Sequence, residues 1–89
     1  MSRFECFNNI SSKPIYVGPT AVDVYDALTD ILTFAWSYAA GTARTLDELD
    51  EVNKRFEDYV SQLDKSYSSY CQNERNDFGC GVLRVVKKD

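Results

Sequence analysis

From Thr45 to Cys71 the apolar residues recur at helical spacing: Leu49, Phe56, Leu63 and Tyr70 stand seven apart, with Val52 and Tyr59 between them. Seven residues is nearly two helical turns, so these side chains form one stripe, while Asp47, Asp50, Glu51, Lys54, Glu57, Asp58 and Lys65 occupy the opposite arc. The segment reads as one long amphipathic helix, opened by a Thr45 cap with Glu48 at the box position. Upstream, Val24, Leu28, Ile31, Leu32, Ala35 and Ala39 share a buried arc bordered by Tyr25 and Trp36, which predicts a helix from about Ala21 to Ala40. Thr20, with Asp23 three residues on, caps its start, and Gly41 is its expected stop. Only Thr42 to Arg44 link the two helices, and so short a link forces an antiparallel helical hairpin.

The flanks carry strand patterns. Arg3 to Phe7 alternates, with Phe4 and Cys6 on one side and Arg3, Glu5 and Phe7 on the other. Pro14 to Val17 has the bias of a second strand, opened by a proline that an edge tolerates. Asn73 to Asp77 is a polar loop. Val82 to Val86 is the strongest strand signal, apolar on both faces and therefore expected at the centre of the sheet. Lys87 to Asp89 reads as a solvated tail. The predicted fold is α+β: one domain over residues 1–89, with a three-stranded sheet in ββααβ order covered on one face by the helical hairpin. The hairpin returns the chain to the end it left, so the last strand should run antiparallel to the second.

Composition narrows the function classes more than the fold. Ten basic against fourteen acidic side chains give a net charge of -4, which disfavours direct nucleic-acid binding through a general positive field and favours a protein partner with a basic surface. The densest apolar run, Ile31 to Ala40, is too short to span a membrane, and no leader pattern opens the chain, so a cytoplasmic protein is expected. The three cysteines, Cys6, Cys71 and Cys80, are widely spaced and odd in number. Reduced thiols are expected, with Cys6 and Cys71 as small core residues and Cys80 exposed between two glycines.

Histidine is absent. With it go the commonest general acid/base, the usual activator of Ser and Cys nucleophiles and the commonest metal ligand. No phosphate-loop or dinucleotide-binding pattern is present, and the cysteines lack paired zinc spacing. The expectation is a non-enzymatic chain with no catalytic residue, no metal and no cofactor.

Two charge patterns then separate the helices. On the second, Asp50 precedes Lys54 and Glu51 precedes Arg55 by four residues, so those acids are locally answered. On the first, Asp23, Asp26 and Asp30 share a face with no cation anywhere on the helix, and Phe34 follows Asp30 by one turn. An aromatic among unanswered carboxylates suits a basic partner surface with an apolar pocket, which makes Asp23, Asp26, Asp30 and Phe34 the candidate partner-binding residues. A small acidic module of this kind resembles in type the inhibitors that phages and mobile elements direct against host machinery, such as anti-CRISPR and anti-restriction proteins, though no shared motif carries the likeness. A phage-encoded protein of that type would act in the host cytoplasm. The alternative expectation is a structural or adaptor subunit that self-assembles through its helical hairpin.

Overall fold

Two threonines start the two helices. The Thr20 hydroxyl accepts the backbone N–H of Asp23 at 3.2 Å and the Thr45 hydroxyl that of Glu48 at 3.1 Å, each satisfying a first-turn donor that has no partner within its helix. Glu48 reaches back to accept the Arg44 N–H at 2.7 Å, so the three-residue link is held against the second helix. The computed structural model describes residues 3–10 and 12–88, as β1 (Arg3–Asn8), β2 (Tyr16–Gly18), α1 (Ala21–Thr42), α2 (Leu46–Cys71), β3 (Asp77–Gly79) and β4 (Leu83–Lys88). Gly41 lies inside α1 rather than ending it. The terminator of α2 is Asn73, whose left-handed backbone (φ 62°) suits asparagine better than most residues and turns the chain off the helix.

The α+β class and the helical hairpin are as expected, but the sheet has four strands, in the order β2-β1-β4-β3, with every neighbouring pair antiparallel. The additional strand is β3, in a stretch expected to be loop. It also corrects the direction of the last strand. β3 takes the direction expected for the chain returning from α2, and the tight turn at Cys80–Leu83, closed by hydrogen bonds of 2.8 and 3.3 Å, reverses it once more. β4 therefore runs antiparallel to β1, beside it at the centre of the sheet. The expected tail is largely strand: Lys87 and Lys88 pair with Phe4 and Arg3, and Asp89 lies outside the described residues.

Both helices pack on one face of the sheet, α1 on β1 and β2 and α2 on β3. Phe4, Cys6, Leu83 and Val85 point into that layer and join Val24, Leu28, Leu32, Leu63 and Phe78 in the core. β4 is thus buried on one face only. Its other face exposes Arg84 and half-buries Val86 beside Glu5, which is itself held by Arg3 at 2.8 Å.

The layers differ in length, and this difference shapes the surface. At 1.5 Å per residue the helices, of 22 and 26 residues, are about 33 and 39 Å long, whereas a six-residue strand spans about 20 Å. The molecule measures 48 × 26 × 19 Å, and the distal half of the hairpin projects past the sheet. The buried arcs read from the sequence are accordingly covered only near the sheet. Ile31 and Ala39 are half-buried and Ala35 is exposed; Leu49, Val52, Phe56, Tyr59 and Tyr70 are half-buried, while Leu63 is sealed.

Leu63 and Phe56, equivalent in the seven-residue stripe, should therefore respond differently to truncation. Leu63→Ala should cost about 3–5 kcal/mol. Phe56→Ala, which loses mainly its contact with Trp36 at 5.5 Å between ring centres, should cost only about 1–2 kcal/mol. Urea unfolding of the two variants measures the difference directly.

Two further expectations change. Neither Asp50–Lys54 nor Glu51–Arg55 closes; the ion pairs among the described residues are Arg3–Glu5 and Arg75–Asp77. Both helix pairs lie on solvated turns, where holding two long side chains together gains little. The three cysteines are unbridged, but Cys71 is exposed rather than in the core, because it sits in the last turn of α2 beyond the sheet-facing stripe. Cys80 is half-buried against the core. Burial, with Cys80 nearby, pushes the Cys6 thiol up to about 11, so Cys6 is an inert core residue near neutral pH.

Candidate protein-binding surface

Asp26, Asp30, Phe34 and Tyr38 follow one another at four-residue steps and form a single row along α1, because side chains four apart stack on one helical face. Asp23, in the first turn, lies one turn before that row and shares a face with Asp30 seven residues on. All four residues predicted from the sequence are exposed, and the aromatic end is strongly so: Phe34 is 76% and Tyr38 71% accessible. By helical angle Tyr38 lies between this face and the core side of α1. It lies outside because it falls on the overhanging half of α1, where no strand lies beneath.

The row is electrostatically open. None of Asp23, Asp26 and Asp30 takes part in an ion pair among the described residues. Charge is also divided between layers: α1 carries three acids and no cation and α2 seven acids and three cations, while the strands carry Arg3, Arg84, Lys87 and Lys88 against Glu5 and Asp77. The helical layer therefore projects a negative field and the sheet layer a positive one.

On the inner side of the hairpin, α1 and α2 are tied by polar contacts along their length. Trp36 donates its indole N–H to Asn53 at 2.8 Å, and the Tyr25 hydroxyl donates to Asp64. That hydrogen bond, with some desolvation, raises the Tyr25 phenol to about 12. Below these ties, the overhang leaves an apolar groove of about 250 Å³, walled by Ile31, Ala35, Trp36, Val52, Phe56 and Tyr59 and closed at the sheet end by Val82 and Leu83. The sequence reading did not find it. The available signal was the mismatch between two helices of more than twenty residues and strands of about five.

A larger cleft, of about 740 Å³, lies beside β3 and is lined by Lys65, Arg75 and Arg84 together with Gln62, Ser66 and Asn9. Gln62, Ser66 and Asn9 are committed to the β3–β4 turn. Ser66 accepts the Gly79 N–H at 2.9 Å and donates to the Gly79 carbonyl at 2.6 Å, Gln62 accepts the Gly81 N–H at 2.8 Å, and Asn9 donates to the Gly81 carbonyl at 3.3 Å. Arg75 is held by Asp77 at 3.0 Å. The cleft is built to fix the turn, and Ser66 also blunts the sheet edge by occupying the groups of Gly79.

Among the described residues no cluster of three or more Cys, Asp or Glu is arranged to hold a metal ion, and no helix is long and apolar enough to cross a membrane. No protein-family model, curated protein or solved structure matches the chain.

Proposed function

We propose that this chain is a protein-binding module that acts by covering a surface of a protein partner, through Asp23, Asp26, Asp30 and Phe34 extended by Tyr38. The observation that carries this reading is the pair of aromatics held in water in line with carboxylates that form no ion pair among the described residues. Exposed rings of this size lose stability for the free protein relative to burial, and like charges at four-residue spacing weaken the helix slightly. A basic partner surface with an apolar pocket would relieve both: the carboxylates would steer the encounter and set its register, and Phe34 would supply the desolvated anchor. The action is binding rather than chemistry, of the kind exerted by the small inhibitors that phages and mobile elements direct against host proteins, and its place is the cytoplasm of the cell that holds the partner.

Affinity purification from the source cell with mass spectrometry identifies the partner, after which the surface is tested with purified components. Asp26→Lys with Asp30→Lys should leave the circular dichroism spectrum intact, slow association and flatten its salt dependence. Phe34→Ala should act on the off-rate instead, by about tenfold or more. A folded triple variant that binds with wild-type affinity would reduce this surface to an ordinary solvated helix face.

A further inference from the structure

We infer that the cleft beside β3 binds a phosphate monoester, held between Lys65 of α2 and Arg84 of β4 across the backbone of Gly79. This inference is independent of the partner surface on α1, which shares no residue with the cleft.

The topology brings the cations together. The Ser66 hydroxyl bonds both the N–H and the carbonyl of Gly79, so Lys65, one residue earlier on α2, stands beside that strand edge. Arg84 is the cross-strand partner of Gly79 on its other side. Both side chains line one cleft together with Arg75, and between them Gly79 presents only backbone. The contacts that fix the turn occupy the oxygen of the Gln62 amide and leave its NH2 group as a neutral donor, to which the Ser69 hydroxyl, one turn beyond Lys65, adds another.

Charge then defines the ligand. Asp77 is the one carboxylate among the described residues that line the cleft, and its Oδ1 is held by both Nε and Nη2 of Arg75, each at 3.0 Å. Lys65 and Arg84 form no ion pair among the described residues. The residues three and four away from Lys65 on α2 are Ser61, Gln62, Ser68 and Ser69, all neutral. Arg84 lies between Phe7 and Gly79 in the sheet, and the two carboxylates diagonal to it, Glu5 and Asp77, are taken by Arg3 and Arg75. Two unanswered positive charges facing one cleft match a phosphate monoester, which carries about −1.5 to −2 near neutral pH and accepts from several donors at once. A carboxylate would answer only one of them. The cleft, at about 740 Å³, is in the size range that takes small organic molecules. Phe7 and Leu83 give it an apolar wall, so the phosphate anchors a larger body.

The test is a titration followed by amide NMR, with inorganic phosphate, adenosine monophosphate and O-phosphoserine as probes and adenosine and serine as phosphate-free controls. The Gly79, Gly81 and Arg84 amides should shift with all three phosphates, at lower concentration for an ester than for inorganic phosphate, and stay still with the controls. The tighter ester names the source, a nucleotide or a phosphorylated side chain. Affinity should rise from about pH 5 to about pH 7, as the monoester loses its second proton near about pH 6. Lys65→Gln and Arg84→Gln, at exposed side chains, should keep the circular dichroism spectrum and each weaken binding by about tenfold. Lys88→Gln, outside the cleft, should leave binding unchanged. Esters that do not move these amides, or that bind a folded Lys65→Gln and Arg84→Gln double variant as well as the wild type, overturn the proposal. An equal loss in Lys88→Gln also overturns it, by reducing the effect to the general positive field of the sheet layer.

Discussion

Replacing Phe78 by alanine should cost about 3–5 kcal/mol, as much as the loss of Leu63. A domain of this size has about 4–13 kcal/mol of stability in all, so the variant should be largely unfolded near body temperature. Phe78 is 1% exposed and its ring is edge-on to Tyr67 at 5.0 Å and tilted against Tyr70 at 5.3 Å. Those two tyrosines are the final turns of the α2 stripe, and Phe78 is the side chain that fastens them to the sheet. Its loss would open a cavity between layers and remove aromatic contacts on both sides, neither of which a small fold can reclaim by collapse. Urea unfolding followed by tyrosine fluorescence and by circular dichroism measures the loss. A midpoint shift no larger than that of Phe56→Ala would show that α2 is held to the sheet by other contacts.

Gly79→Ala should be nearly as damaging, by at least about 2–3 kcal/mol, although it adds only a methyl group. The backbone of Gly79 has φ 157°, and a Cβ there would lie 2.2 Å from the carbonyl oxygen of Leu83 and 2.9 Å from the Cα of Arg84. Both are backbone atoms of the paired strand, so relief requires β3 to leave β4. The same movement would break the two hydrogen bonds to Ser66, leaving that hydroxyl only the Leu63 carbonyl at 3.1 Å, which adds a cost of its own. Gly41→Ala is the control. Gly41 is inside α1 with nothing within 4 Å of an added Cβ, so the substitution should stabilise by about 0.5–1 kcal/mol. Hydrogen exchange on the Gly79 variant should show early opening at β3 and β4 with α1 protected. Uniform protection and an unchanged midpoint would mean that the turn adapts.

Both residues lie in the part of the chain that was hardest to read. β3 is three residues long and follows a polar run, too short to show a period of two and with a single large apolar residue. Its strand state comes from pairing with β4 and from Ser66, thirteen residues before Gly79; none of this is visible as local preference. Missing β3 also inverted the direction of the last strand. The candidate partner surface was more legible. Asp23, Asp26, Asp30 and Phe34 are placed by helical angle alone, and the structure leaves all of them in water. Tyr38 was not placed, since its angle borders the core and its exposure depends on where the sheet stops.

Whatever could be settled within one helical turn or one strand was determined by the sequence itself: the two helices, their threonine caps, the antiparallel hairpin forced by a three-residue link, and the facing of Phe4 and Cys6. These follow from periodicity, capping and chain reach, which act between near neighbours. The tertiary structure alone decided the fourth strand, the antiparallel pairing of β4 with β1, and which part of a uniform apolar stripe is core. Leu63 and Phe56 are seven residues apart on the same face of α2, yet one is sealed and the other half open. The physical reason is the finite length of the sheet: burial requires a second layer, and helical periodicity carries no record of where that layer ends.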